Sequence, residues 1–174
     1  MLAVMLAFVS QFGESFVGEG VNAAHLNTVL GAKGGPVEQA WVTALAHPTQ
    51  GHVAFVTVVQ PGIAVKPFTL FVNKASIAGT THAELTWGPA QAGVAKGVAD
   101  AVAEGIIDKG ASDDLLLIAA VWVNPDADDA SLLFANNATA TLEALRAGRR
   151  GLPEIDDVLA VRAAPFNAFF RPRR

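Results

Sequence analysis

Short hydrophobic runs alternate along the chain with segments of helical periodicity. β-prone runs at residues 25–30, 53–59 and 69–77 are bounded by turn residues, which is typical of strands. Residues 115–123 are almost continuously apolar, as in a strand covered on both faces, and they predict a central strand. The apolar residues 1–9 predict one more strand, because the run is too short to span a membrane and lacks the basic flank of a signal peptide.

Three other segments place apolar residues three and four positions apart, as helices do. The first begins at Pro36, a residue that suits the first turn of a helix, and ends before Pro48. The second covers residues 90–105. The third follows an acidic cluster at residues 126–129 and ends at Gly148. Strands and helices in alternation predict a single α/β domain whose helices pack on a sheet.

The composition narrows the classes of protein. Hydrophobic residues make up 52% of the chain and charged residues 16%, below the typical value of about 25%, so part of the surface is expected to meet another subunit. The net charge of −4 argues against nucleic-acid binding, and no run reaches the about 20 apolar residues of a membrane span. The absence of cysteine excludes disulfides and thiolate chemistry. A cytoplasmic location is expected, since no signal peptide is recognisable.

Three generic motifs carry little information about function. The glycine-rich residues 31–36 precede a helix but lack the Lys-Ser/Thr ending of a phosphate-binding loop, so a plain loop is favoured. The acidic residues 126–129 resemble ligands for a hard cation, yet a helix N-terminus favours carboxylates on electrostatic grounds, and capping is favoured. The four histidines are not spaced like zinc ligands, so no metal is expected.

Four ordered segments resemble the formaldehyde-activating enzyme family: GEGVNAAHLNTVLGAKGGPVEQA, KPFTLFVNKASI, WGPAQAGVAKGVADAVAEGII and DDLLLIAAVWV. The resemblance covers residues 12–148 and is most specific in GPAQ-x-GVA and DAVAEGII. It predicts a family domain at residues 1–148 and leaves residues 149–174 as a tail of unassigned structure. It also implies a two-layer α/β (α+β) sandwich, assembled as a homopentamer with sites between subunits.

Members of this family condense formaldehyde with tetrahydromethanopterin, a cosubstrate, to give methylene-tetrahydromethanopterin and water without a metal. The resemblance implies this reaction of one-carbon metabolism here. The family's catalytic histidine falls on His25, which is then the proton donor that helps water leave a carbinolamine. Imidazole, with a pKa of about 6.5, suits reversible proton transfer at neutral pH. A structural histidine at a strand start is the alternative reading of the same residue.

The resemblance also implies five substrate-binding positions. Lys74 would orient the pterin or stabilise negative charge, although it also suits a plain surface position. Gln91 can donate to and accept from the edge of a pterin ring, or cap a helix start. The other three depart from the family pattern: Asn27 replaces an aspartate, Ser76 a threonine and Val56 a leucine.

Asn27 is the departure with a chemical consequence. A carboxylate forms charge-assisted hydrogen bonds that are roughly twice as strong as neutral ones, and a neutral amide does not. The change therefore raises one alternative to an enzyme, a non-catalytic paralogue that binds or carries the pterin. The apolar surface and the unassigned aromatic tail raise a second alternative, an assembly or regulatory protein that kept the oligomer and lost the site.

Overall fold

The structure, a computed structural model, describes residues 9–167 and 170–172. The strands are β1 (Gln11–Val17), β2 (Ala24–Ala32), β3 (Phe55–Val56), β4 (Val58–Gln60), β5 (Ile63–Ala64), β6 (Phe68–Asn73) and β7 (Leu115–Trp122). The helices are α1 (Pro36–Ala46), α2 (Thr80–Leu85), α3 (Gln91–Ala103), α4 (Ala130–Arg150) and α5 (Ile155–Val161). A π-helical turn, Thr86–Ala90, joins α2 to α3, and two short 3-10 turns occupy Gly20–Asn22 and Lys109–Ala111.

Five strands form one mixed sheet in the order β1-β2-β7-β6-β3. β1, β2 and β7 are antiparallel neighbours, β6 runs parallel to β7, and β3 pairs antiparallel with β6. β4 and β5 form a separate hairpin. β7 lies third of five, so the prediction that residues 115–123 form the central strand is confirmed. The single mixed-sheet α/β domain is confirmed as well.

Helices α3 and α4 cover one face of the sheet and enclose the core. Val94 and Val98 of α3 and Leu133 of α4 are fully buried in one cluster with Leu26 and Val121 of the sheet. The two helices approach closely at Gly93 and Gly97. A Cβ atom at Gly97 would lie 2.5 Å from the carbonyl oxygen of Ala138, a contact that real structures do not tolerate.

The opposite face of the sheet is covered at one end and open at the other. Gly31 and His25 face the same side of β2, because residues separated by an even number of positions share a face of a strand. A Cβ atom at Gly31 would lie 2.4 Å from Cγ2 of Val37, so α1 packs on this end. At the other end no helix covers the face among the described residues, and Phe12 and Phe16 are 68% and 42% exposed.

The bounds of three predicted strands change in the structure. The strand at residues 25–30 is confirmed and slightly longer, whereas the one at residues 69–77 ends at Asn73. The run at residues 53–59 is divided at Thr57, whose amide donates to Thr69 of β6 while its carbonyl accepts a hydrogen bond from the Val65 amide. The strand predicted at residues 1–9 lies outside the described residues except for Val9, which precedes β1.

The three predicted helices are α1, α3 and α4. α4 continues to Arg150, two residues beyond the predicted end at Gly148, and it is capped by Gly151, whose φ of 68° lies in the left-handed region that glycine adopts without strain. α5 follows within the segment of unassigned structure, and all seven of its residues are exposed, among them Ile155 and Val161 at 67% and 68%. In the described part of the chain, no helix is both long enough and apolar enough to cross a membrane.

Candidate active site

Four polar side chains meet on the open face of the sheet: Glu14, His25, Asn27 and Lys74, which we term the open-face cluster. Glu14 lies directly opposite Asn27 in the pairing of β1 with β2, and Phe16 lies opposite His25. Lys74 follows the last residue of β6, where its backbone amide donates to the carbonyl of Val121. The cluster arises because odd-numbered residues of β2 point away from the core.

His25 is held by an acidic and an aromatic neighbour. Its Nε2 atom lies 3.2 Å from Oε1 of Glu14, and 36% of the His25 side chain is exposed. The Phe16 ring lies 6.0 Å from the imidazole, tilted by 46°. The Glu14 carboxylate therefore lies against Nε2, and Nδ1 is the ring nitrogen that this carboxylate does not contact.

Lys74 reaches across β7 to the strand that carries His25. Its Nζ donates to Oδ1 of Asn27 at 2.6 Å. The residue of β7 paired with Asn27 is Ala120, whose methyl group leaves room above the strand. Partial burial of the ammonium group lowers the pKa of Lys74 below its usual 10.5, and the Glu14 carboxylate partly opposes this shift.

Asn27 supplies an oxygen acceptor to Lys74 without supplying a charge. An aspartate at this position would form an ion pair with the ammonium group, whereas the amide forms a weaker hydrogen bond. Lys74 therefore still has an acceptor at this position. The charged groups of the open-face cluster, apart from a protonated imidazole, are Glu14 and Lys74. The face holds one negative and one positive group beside the imidazole.

The remaining positions implied by the resemblance lie apart from the cluster. Ser76 follows Lys74 by two residues, and its Oγ lies 2.9 Å from Nε2 of His52. Gln91 is 93% buried at the start of α3, and its Nε2 donates to the carbonyl of Val58 at 2.8 Å. Val56 pairs with Leu70 on the short edge strand β3. Among the described residues, no contact joins Gln91 or Val56 to His25.

Glu14 is the residue of this site that the sequence did not single out. It is the one charged residue in β1, in the string QFGESFV. The signal was present in the alternation of that strand, where an acidic side chain falls between two phenylalanines on the same face. Its significance depends on the register that places it beside His25 and Asn27, and a sequence does not display that register.

The generic motifs behave as ordinary structure. Asp129 caps α4 by accepting hydrogen bonds from the amides of Ser131 and Leu132, both within 2.9 Å. Residues 31–36 form the end of β2 and a turn in which the Gly34 amide donates to Glu38. Across the described residues there is no group of three or more histidines and carboxylates placed to hold a metal ion.

Comparison with known proteins identifies the family. The sequence profile described as "Formaldehyde-activating enzyme (Fae)" matches residues 12–170. A protein of Methanosarcina barkeri named 5,6,7,8-tetrahydromethanopterin hydro-lyase is 40% identical over 151 residues, which cover 87% of this chain and 85% of that protein.

Two longer proteins, each named bifunctional enzyme Fae/Hps, are also similar. The one from Methanosarcina mazei is 39% identical and the one from Methanococcoides burtonii 42% identical, over 86% and 84% of this chain. This chain spans only 38% and 37% of their lengths. With a profile match across most of the chain and a relative aligned over nearly its whole length, the protein belongs to the formaldehyde-activating enzyme family.

Proposed function

We propose that the protein catalyses the condensation of formaldehyde with tetrahydromethanopterin, giving methylene-tetrahydromethanopterin and water. The observation that carries this proposal is an imidazole on an open sheet face, with a carboxylate oxygen 3.2 Å from its Nε2 and with a lysine and an amide on the same face. The similarity to a tetrahydromethanopterin hydro-lyase supports the choice of substrates. The activity expected of the family is thus matched to a specific set of side chains.

The proposed reaction needs a proton donor more than a nucleophile. One pterin N–H adds to formaldehyde and forms a carbinolamine. His25 donates a proton from Nδ1 to the hydroxyl group, the carbon–oxygen bond breaks, and water leaves an iminium ion. The second pterin nitrogen attacks that carbon, and its proton returns to His25. The oxygen of formaldehyde and two N–H hydrogens leave as one water molecule, so no electron acceptor is required.

The neighbouring side chains have supporting roles in this proposal. Glu14 fixes the ring so that Nδ1 points away from β1, and it balances the positive charge of the imidazolium form. Lys74 and Asn27 provide a cationic donor and an amide to orient the pterin. Ser76, Gln91 and Val56 complete the binding surface. No metal has a role in this sequence of steps.

A homo-oligomer, as a pentamer, is part of the proposal. Two apolar surfaces of the chain have no cover among the described residues: the open sheet face with Phe12 and Phe16, and helix α5 with Ile155 and Leu159. Isolated helices as short as α5 are not stable in water, so packing must supply its stability. A site between subunits would also bring Gln91 and Val56 of one copy to the open-face cluster of another. A cytoplasmic location remains a prediction.

Asn27 favours one second candidate, a paralogue that binds or carries the pterin without accelerating the reaction. The Nζ atom of Lys74 lies 2.6 Å from the amide oxygen of Asn27. This oxygen is uncharged, whereas an aspartate at the same position would supply a carboxylate. Such a protein would bind the pterin through Lys74 and Ser76 and would release it unchanged to other enzymes. Measurements of binding and of rate on the same preparation distinguish the two candidates.

The test is the initial rate of methylene-tetrahydromethanopterin formation, measured against the spontaneous reaction. We expect acceleration by the wild type and its loss in His25→Ala. Binding of the pterin without acceleration, with activity restored in Asn27→Asp, would identify the carrier instead. A folded wild type that neither binds the pterin nor accelerates the reaction would refute both.

A further inference from the structure

A hydrogen-bonded pair of a histidine and a serine, His52 and Ser76, lies just beyond the end of β6, and Ser76 follows Lys74 by two residues. His52 ends a tight turn in which its amide donates to the carbonyl of Thr49. Its Nδ1 lies 2.9 Å from the carbonyl oxygen of Asn73, and its Nε2 lies 2.9 Å from Oγ of Ser76. The pair therefore connects the end of β6 to the turn at residues 49–52.

The backbone around this pair is firmly tied. The side-chain amide of Asn73 donates to the carbonyl oxygens of Gly51 and Ala75 at 2.9 and 2.8 Å, and the Ile77 amide also donates to Gly51. Asn73 is 98% buried. Because these bonds fix both loops, the position of His52 relative to Ser76 is set by the fold and not by the two side chains alone.

The partners determine which way each hydrogen bond runs. The Asn73 carbonyl only accepts, so Nδ1 of His52 carries the hydrogen. In the neutral ring Nε2 is then an acceptor, and the Ser76 hydroxyl must donate to it. The single hydroxyl hydrogen of Ser76 is thereby committed to His52, and Oγ can offer only lone pairs to a ligand.

We propose that His52 is a positioning residue that holds Ser76 as an obligatory acceptor for an N–H donor on the reduced pterin. This inference rests on the proposed function and specifies the direction of one contact, in which Ser76 accepts a hydrogen bond and the pterin donates it. A ligand edge carrying a ring N–H or an amino group satisfies Ser76, whereas a carbonyl oxygen there meets only lone pairs. The pair thus selects the orientation in which the pterin lies beside Lys74.

The tautomer of His52 is testable without any ligand. Long-range ¹H–¹⁵N spectra of the wild type at pH 8.5 are expected to show the neutral His52 ring protonated at Nδ1. The Nε2-protonated tautomer would overturn the inference, because Ser76 would then accept from His52 and remain free to donate. This measurement is independent of catalysis and distinguishes a failure of the pair from a failure of the proposed function.

The kinetic test compares His52→Phe, Ser76→Ala and the double variant. Loss of one hydrogen bond to the ligand corresponds to roughly a three- to tenfold change, so we expect KM for the pterin to rise by that factor in each single variant. kcat should change less than twofold, and KM for formaldehyde should not change. In the Ser76→Ala background, His52→Phe should add nothing, since His52 acts through the hydroxyl group.

Two controls separate positioning from general structural damage. His47→Phe removes another histidine whose Nδ1 contacts a carbonyl, that of Thr43 at 3.2 Å, and it should leave KM unchanged. Ser76→Thr keeps a hydroxyl group and should raise KM for the pterin less than Ser76→Ala does. Additive effects of His52→Phe and Ser76→Ala, or a wild type with no calorimetric affinity for the pterin, would refute the inference.

Discussion

At the scale of single residues, the chemistry of the site depends on which atoms are already engaged. Glu14 lies beside Nε2 of His25, and in the proposed reaction the other ring nitrogen, Nδ1, exchanges the proton with the substrate. The ammonium group of Lys74 donates to a neutral acceptor, the amide oxygen of Asn27. At His52 the partner of Nδ1 is a backbone carbonyl, which only accepts, so this nitrogen carries the hydrogen.

Glu14→Gln should lower kcat more than it changes KM for the pterin. The amide can still accept from Nε2, but it loses the charge that balances an imidazolium ion, and a charge-assisted bond is about twice as strong as a neutral one. We expect kcat to fall roughly tenfold, against the 10²–10⁴-fold typical of removing a general acid, as in His25→Gln. Steady-state kinetics with both substrates varied provides the measurement. Equal losses in both variants would show that Glu14 does more than orient the ring.

The depressed pKa of Lys74 has a consequence for stability. In the folded protein this pKa lies below 10.5 because burial disfavours the ammonium ion, so the unfolded chain binds more protons in the window just under pH 10.5. The free energy of unfolding contributed by Lys74 should therefore rise with pH through that window. The measurement is urea unfolding of the wild type and Lys74→Met between pH 8 and 10.5. As the pH rises, the free energy of unfolding of the wild type should increase relative to that of Lys74→Met.

Asn27→Asp should reverse this trend. A carboxylate at 2.6 Å from the ammonium group favours the charged form and raises the pKa of Lys74. In the Asn27→Asp background, the increase with pH in the stability difference between Lys74 and Lys74→Met should then shrink or change sign. An NMR titration of the Lys74 side chain should show the higher pKa directly. An unchanged titration would mean that the aspartate turns away from Lys74.

At the scale of elements, the helical layer is built on close approach and not on bulky side chains. Gly93 and Gly97 allow the backbone of α3 to lie against Phe134 and Ala138 of α4. On the other side of α4, Gly13 of β1 leaves no room for a Cβ atom, which would lie 1.9 Å from the Ala144 carbonyl oxygen. This packing holds β1 in place, and β1 carries Glu14.

Gly97→Ala should destabilise the protein although alanine is the better helix former. The added methyl would lie 2.5 Å from the Ala138 carbonyl oxygen and 2.6 Å from Cβ of Thr141, and overpacking of this kind typically costs about 1–3 kcal/mol. Gly88→Ala is the matched control, because no atom lies within 4 Å of its added methyl group. Urea denaturation should show a loss for Gly97→Ala alone, and equal stabilities would contradict the packing argument.

At the scale of the whole molecule, helices α3 and α4 cover one face of the sheet, whereas part of the opposite face is exposed. The core beneath α3 and α4 is closed, whereas Phe12, Phe16 and helix α5 expose apolar side chains. An apolar patch of this kind on a chain with 52% hydrophobic residues marks an interaction surface. The homo-oligomer proposed above gives both surfaces a partner.

Leu159→Glu should weaken that assembly. Leu159 lies on the same side of α5 as Ile155, and it is 46% exposed in the single chain, so a charge there remains solvated unless a second copy covers it. We expect a lower mass by light scattering coupled to gel filtration. Ala160→Glu, on the other side of the same short helix, should retain the wild-type mass. A monomeric wild type would remove the proposed interface altogether.

The pattern along the chain indicated the family and the longer elements, but strands β1 and β5 and helices α2 and α5 were not predicted from it. The almost continuous apolar run at residues 115–123 favoured a strand covered on both faces, and Pro36 and the capping Asp129 marked two helix starts. The ordered motifs indicated the family, and the match over residues 12–170 confirmed it. These features are local, so spacing and composition are enough to reveal them.

Which polar residues share a surface depends on the tertiary fold. Asn137 and Thr141 break the apolar pattern of α4, yet both are fully buried, because each side chain donates to a carbonyl four residues earlier. Glu14, His25 and Lys74 lie in separate parts of the sequence and meet through the register of four strands, β1, β2, β7 and β6. His52 gains a partner in Ser76 through a turn that no motif marks. Strand register and loop packing are long-range properties, and a pattern of neighbouring residues does not encode them in readable form.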